Sequence, residues 1–376
     1  MTSRLDVFTA IVSDKTTWTF FKLSGDGSAH GVGEATIHGR ADAVIDGLPD
    51  AVSAIKRTDL GLSAKLAATS AAVAGPAGRA IASGLEQAWF DRLGHRIGLP
   101  LHALIGGLFR RSVPTYANIN RGTISRRPDE FAKRAAHAAA AGYTAVKLAP
   151  FDDVSPGQTD KPEQRELIEQ GFARVSAVRA ALPAHVNVQV DCHSRLDGET
   201  AARVLDTLAS IGVSWFEEPI QECAEAMPLL VTLRAQAKQH GVLLAGAENC
   251  DGLSAFQPFL QAGVYDVVMP DIVLSGGLSE VVRIGHAAAA AGTSVSLHNP
   301  YGPVSDVLIA HVAAALPTLH SLERQVDESP LYDDLVERHH RADGGGYQIS
   351  DAAGAGLSID WQHRALELVC SFDVEI

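Results

Sequence analysis

The chain has 376 residues, 46% hydrophobic and 20% charged, with a formal net charge of −13. That balance disfavours nucleic acid and anionic membrane as partners, since both need basic patches, and no apolar run approaches the roughly 18 residues of a membrane-spanning helix. The length suits two domains, or one barrel with an appendage.

The N-terminal stretch MTSRLDVFTAIVSD has neither a long apolar core nor a small-residue cleavage pattern, so no secretory leader is expected. WTFFKLSGDGSAHGVGEA offers two β-rich pieces around a Gly/Asp turn. Residues 41–110 are alanine-rich and helical, with a helix expected in IASGLEQAWFDRLGHRIG. Together they predict an N-terminal α+β domain over 1–110.

From residue 111 strands and helices alternate. SVPTYANIN, YTAVKLA, VNVQVD, VSWFEEP, VLLAGAEN, YDVVMPD, TSVSLHNP and LHSLER are strand candidates, each but the last followed by a helical stretch. A polar insertion, PFDDVSPGQTDKPEQ, interrupts the second unit. A strand–helix unit recurring every 25–30 residues or so predicts a parallel βα barrel over 111–326. The tail, 327–376, is expected to pack back on the N-terminal domain. The four cysteines, Cys192, Cys223, Cys250 and Cys370, contain no C-x-x-C pair and read as reduced thiols of a cytoplasmic protein.

The chemistry collects at strand ends. In Val186–Arg195, valines alternate with polar residues, and Asp191 and His193 project to one side of an extended chain. They suit a metal ligand beside a proton donor, although an Asx-capped turn would look the same. Lys147, Asp191, Glu217, Glu248, Asp271, His298 and Glu323 each end a different predicted strand. In a βα barrel those ends converge on one face. So many acids would repel one another unless a cation held them.

Five motifs carry a resemblance over nearly the whole chain: GVGEA (31–35), SGLEQAWFDRLGHRIGLPLHALIGG (83–107), WFEEP (215–219), MPDIVLSGG (269–277) and SLHNPYGP (296–303). In this order and at barrel spacing they resemble the enolase superfamily, in its mandelate-racemase-like branch, nearest the galactonate-dehydratase-like sugar-acid dehydratases. The resemblance implies a capping α+β domain on a modified (β/α)7β barrel and a divalent Mg²⁺ ion held by Asp191, Glu217 and Glu248. Hard carboxylate oxygens suit that ion. Glu218 and Asn249, by alternation, should point away from it.

By motif position, Asp271 and His298 match the family's Asp–His dyad, in which a carboxylate sets the tautomer of a basic imidazole. Where many members carry Lys-x-Lys, this chain has Lys147-Leu148-Ala149. The second, opposed base is absent. His193, two residues after the third-strand Asp, matches the general acid of the galactonate-dehydratase-like members. The reaction implied is abstraction of the proton α to a carboxylate and dehydration of a sugar acid to a 2-keto-3-deoxy acid. Lys147 and a protonated Glu323 would stabilise the enediolate. The alternatives are a racemase or epimerase pairing His298 with His193, and a metal-binding barrel without catalysis. Loops over the mouth nominate His38, Arg40, Asn118, Asn120, Arg121 and Tyr301 as substrate contacts. Arg40 or Arg121 facing a distal carboxylate would favour a diacid. The partner expected is a small carboxylate, and homo-oligomers are usual in the family.

Overall fold

The computed structural model describes residues 3–342 and 345–376. Three N-terminal strands, β1 (Ser3–Ile11), β2 (Thr17–Ser24) and β3 (His30–Glu34), form an antiparallel sheet, to which Glu367–Val374 adds at the β1 edge. Along β1, Leu5 and Val7 are buried while Arg4 faces out, the alternation of a half-covered sheet. The helices Ala41–Lys56, Leu62–Ala72 and Pro76–Ile97 follow. In β3 a Cβ on Gly31 would meet the Ala88 carbonyl at 1.9 Å, and one on Gly33 the Gly84 carbonyl at 2.0 Å. The glycines of GVGEA thus let the strand lie directly on the backbone of helix Pro76–Ile97.

The barrel strands are β4 (Ser112–Asn118), β5 (Ala145–Leu148), β6 (Asn187–Asp191), β7 (Val213–Glu217), β8 (Leu243–Gly246), β9 (Val267–Val268), β10 (Ser294–Leu297) and β11 (Leu319–Gln325). Each is parallel to the next, and β11 closes on β4 through Leu322↔Thr115 to Gln325↔Asn118. Among the described residues one main helix follows each strand but β11, which is the (β/α)7β plan. The strand expected over YDVVMPD shrinks to Val267–Val268, because Pro270 has no N–H to give the ladder. Asp271 still meets His298 in an isolated parallel bridge.

After Val326 the chain divides its contacts. Gly346–Gln348 pairs antiparallel with β4, while Glu367–Val374 joins the N-terminal sheet. Trp215, Ala245, Val267 and Met269 pack together as a small apolar cluster of their own. Helix Pro303–Ala315 is buried at every position, which accounts for its apolar composition on all faces. Among the described residues no helix is long and apolar enough to cross a membrane.

Candidate metal and acid–base centre

Asp191 ends β6 and is in register with Glu217, which ends β7; Glu248 lies just beyond β8. One carboxylate oxygen of each comes within 4.8 Å of the others, and all three residues are buried. The loops that present them are strained. His193 (φ 45°), Ser194 (φ 56°), Glu218 (φ 36°) and Ala247 (φ 72°) are non-glycine residues in the left-handed region. Such backbone persists where surrounding contacts over-determine it.

Glu217 accepts from Lys147 Nζ at 2.5 Å and from Trp215 Nε1 at 2.6 Å. Burial pushes the Glu217 carboxyl well above the usual range, and the Asp191 charge adds to that push against Lys147. Burial likewise raises Glu248, with His298 opposing. Burial would raise Asp191 too, but His193 and Lys147 outweigh it and hold its carboxyl below the usual range. Glu248 Oε2 is buried and accepts no hydrogen bond. Crowded buried carboxyls, one with an oxygen that accepts no hydrogen bond, suit a hard cation.

His298 Nδ1 lies 2.8 Å from Asp271 Oδ2, and Nε2 faces Glu248 Oε2 at 3.3 Å. Asp271 is itself held: its Oδ1 accepts from Val273 N at 2.6 Å and Leu274 N at 2.8 Å, and the Tyr301 hydroxyl sits 2.8 Å from both of its oxygens. Burial would lower the His298 imidazole; Glu248, the bond to Asp271 and Glu323 outweigh it and raise it to about 10. A cation on Glu248 would remove the first of those raising influences. For Tyr301, expected at the substrate, the structure shows the hydroxyl donating to Asp271.

His193 spans two carboxylates, with Nδ1 2.6 Å from Asp152 Oδ1 and Nε2 3.1 Å from Asp191 Oδ2. The Asp191 charge, against burial and with help from Asp152, keeps this imidazole protonated well above its ordinary range. Arg126 backs Asp152 at 3.4 Å. Sequence reading placed Asp152 in the insertion without tying it to His193; their separation of 41 positions hides the pairing. Trp215 was also missed, although it precedes Glu217 by two residues and so shares its face.

Lys147 is buried, 3.6 Å from Asp191 Oδ2 and 3.5 Å from Glu323 Oε2. Burial would discharge it, but Glu217, Glu323 and Asp191 keep it firmly cationic. Glu323 accepts from the Asn118 amide, from Gln325 Nε2 at 3.1 Å and from Asn299 N at 3.3 Å. Burial raises its carboxyl, yet Lys147, His298 and Asn118 together bring it below the usual range. Where a protonated donor was expected, these neighbours favour the ionised, accepting carboxylate.

Of the remaining mouth residues, Asn118 also accepts from Asn120 N at 3.0 Å, and Asn120 Oδ1 accepts from Ala149 N at 2.6 Å. Both amides brace strand ends. Arg121 pairs with buried Glu328 at 3.2 Å. His38 is exposed, with Nδ1 3.4 Å from Thr16 Oγ1 and close enough to Arg121 to feel its charge. Arg40 is exposed and its side chain has no partner among the described residues. With Arg121 already paired, Arg40 is the arginine left to face a distal carboxylate. Glu218 and Asn249 lie outside the carboxylate triad and line a cavity of about 720 Å³ together with His193 and Arg195.

Residues 130–363 match the family described as enolase C-terminal domain-like. Over 287 residues the chain is 29% identical to D-gluconate dehydratase of Thermoproteus tenax, covering 76% of this chain and 55% of that protein. Over 284 residues it is 28% identical to D-xylonate dehydratase of Haloferax volcanii, covering 74% and 67%. In the first comparison the chain thus spans little more than half of its relative's length. Among solved structures, a member of the enolase superfamily from Salmonella Typhimurium superposes with TM-score 0.83 at 21% identity over 100% of both chains. A mandelate racemase/muconate lactonizing enzyme from Jannaschia sp. superposes with TM-score 0.81 at 23% identity over 95% and 94%. At these identities the structural likeness is one of fold.

Proposed function

The chain belongs to the enolase C-terminal domain-like family, and on that premise we propose that it dehydrates a sugar acid to a 2-keto-3-deoxy acid with the help of Mg²⁺. One observation carries the reading. Two imidazoles, His298 and His193, each touch a carboxylate of the buried triad, and each has its own aspartate behind it.

Asp191, Glu217 and Glu248 would hold the ion. When bound, it supplies the positive charge that makes the α-proton of a carboxylate acidic enough to remove. His298 Nε2 takes that proton from C2, while Nδ1 keeps its own proton on Asp271. Lys147 presents an ammonium to the charge that develops on the substrate carboxylate, and Glu323 holds Lys147 and Asn118 in place. His193 gives its proton to the 3-hydroxyl, which leaves as water; the C2–C3 enol then ketonises. Asp152 holds the His193 ring by Nδ1, so Nε2 is the nitrogen turned toward the triad. Ala149 stands where racemising relatives would need an opposed lysine, which favours elimination. The names of the curated relatives agree with this.

A second reading keeps the same residues and uses His193 as a second base, giving epimerisation. Both are tested by incubating the protein with a panel of aldonates and aldarates in deuterated water, with Mg²⁺ or with chelator. We expect a 2-keto-3-deoxy acid carrying solvent deuterium at C3 with at least one acid, and its loss with chelator. Stereoisomer without keto acid would select the epimerase. An absence of keto acid, stereoisomer and exchange across the panel would reject both.

A further inference from the structure

The N-terminal sheet and helix Pro76–Ile97 reach the segments beside Asp271 and His298 through buried polar side chains. Glu34, at the end of β3, is fully buried. Its Oε1 accepts from Gly302 N at 2.6 Å and from Thr36 Oγ1 at 2.6 Å, and its Oε2 accepts from Ser305 N at 2.9 Å. Gly302 is the N-cap of helix Pro303–Ala315 and has no side chain to cap it; Pro303 has no N–H. The acceptor for the helix's free N–H groups therefore comes from another part of the chain. A Cβ on Gly302 would lie 2.7 Å from Glu34 Oε1, so there is no room between them. Only Asn299, Pro300 and Tyr301 separate this clamped cap from His298.

The segment beside Asp271 is held by the same network. Gln87 Oε1 accepts from Glu34 N at 2.9 Å, and Gln87 Nε2 donates to Ser83 Oγ at 2.9 Å. Ser83 Oγ in turn donates to the Ile272 carbonyl at 2.6 Å, the residue after Asp271. Glu34, Gln87 and Ser83 are each 0% exposed. Buried polar chains of this kind specify geometry because a broken link leaves an unsatisfied group.

We infer that Glu34, Gln87 and Ser83 are positioning residues that set the Asp271–His298 geometry from the N-terminal unit, so that docking of that unit and alignment of the proposed base are one event. The inference rests on the dyad being the base, and its test has an arm that needs no substrate. The experiment uses full-length protein with Mg²⁺ and isotope-labelled histidine. The ring Nδ1–H signal of His298 is assigned by its loss in His298→Asn.

Glu34→Gln turns an amide donor toward backbone N–H groups, and Ser83→Ala removes the strut to Ile272. In both, the His298 signal should broaden and its exchange with solvent should rise about tenfold, with kcat on any processed acid falling about tenfold at near-constant KM. Ser83→Thr, which keeps the hydroxyl, should restore both. Variants that lose only melting temperature, with the His298 signal intact, would overturn the inference and leave these residues a structural role. If Glu34→Gln does not fold, the Ser83→Ala and Ser83→Thr pair decides. If the wild type processes no acid, the proposed reaction fails, and the His298 signal still decides the positioning.

Discussion

At the scale of single residues the two imidazoles should separate experimentally. His298→Asn is expected to lower exchange of the α-proton by about 10²–10⁴-fold, the usual contribution of a positioned base. His193→Asn should leave exchange near the wild-type rate and abolish keto-acid formation. Exchange surviving His298→Asn, or dehydration surviving His193→Asn, removes that residue from its role. Asp191 and Glu217 were legible because each closes a strand, and Glu248, Asp271 and His298 because each follows one within three residues, in a family motif. The protonation of Glu323 and the use of Tyr301 were not. Each depends on neighbours contributed by distant strands: Asn118, 205 residues from Glu323, and Asp271, 30 residues from Tyr301.

At the scale of elements, GVGEA shows how a short motif encodes a contact. Gly33→Ala would place a Cβ 2.0 Å from the Gly84 carbonyl. Backbone cannot yield as a flexible side chain can, so β3 must lift from helix Pro76–Ile97 and carry Glu34 with it. A loss of about 1–3 kcal/mol in unfolding free energy is expected from such overpacking, read from denaturant melts. An unchanged midpoint would show that the strand has slack. Most barrel strands could be read from apolar runs bounded by turn residues. β9 could not be read to its length, because the ladder needs an N–H that Pro270 lacks. Helix Pro303–Ala315 was recognisable as a helix, but its full burial was not, since that follows from what packs on each side.

At the scale of the molecule, three histidines join parts of the chain distant in sequence. The His102 and His311 rings stack at 5.5 Å, and those of His311 and His340 lie 4.7 Å apart. Burial pushes His340 down to about 4 and His311 well below its ordinary value. A histidine whose folded pKa is depressed takes its proton first in the unfolded chain. Its stabilisation is present above about 6.5 and is lost as pH falls toward the folded value. For His340 that amounts to something on the order of 3 kcal/mol. Melting temperature should fall between pH 7 and pH 4, and less steeply in His340→Gln. Equal slopes in the two proteins would show that the buried ring does not drive the loss.

What the amino-acid order alone determined here is local. Strand periodicity, helix length and the residue that closes each strand place an Asp, a Glu or a His at successive barrel ends. The family motifs extend that to the fold and to the kind of cation the carboxylates suit. Tertiary structure decided which groups share a proton and which share a charge. Glu34 meets Gly302 across 268 residues, and Lys147 meets Glu217 across 70. A carboxyl's ionisation depends on the charges and donors within a few ångströms after burial has removed water. No spacing along the chain supplies that, because the partners come together only when the barrel closes and the N-terminal sheet settles on it.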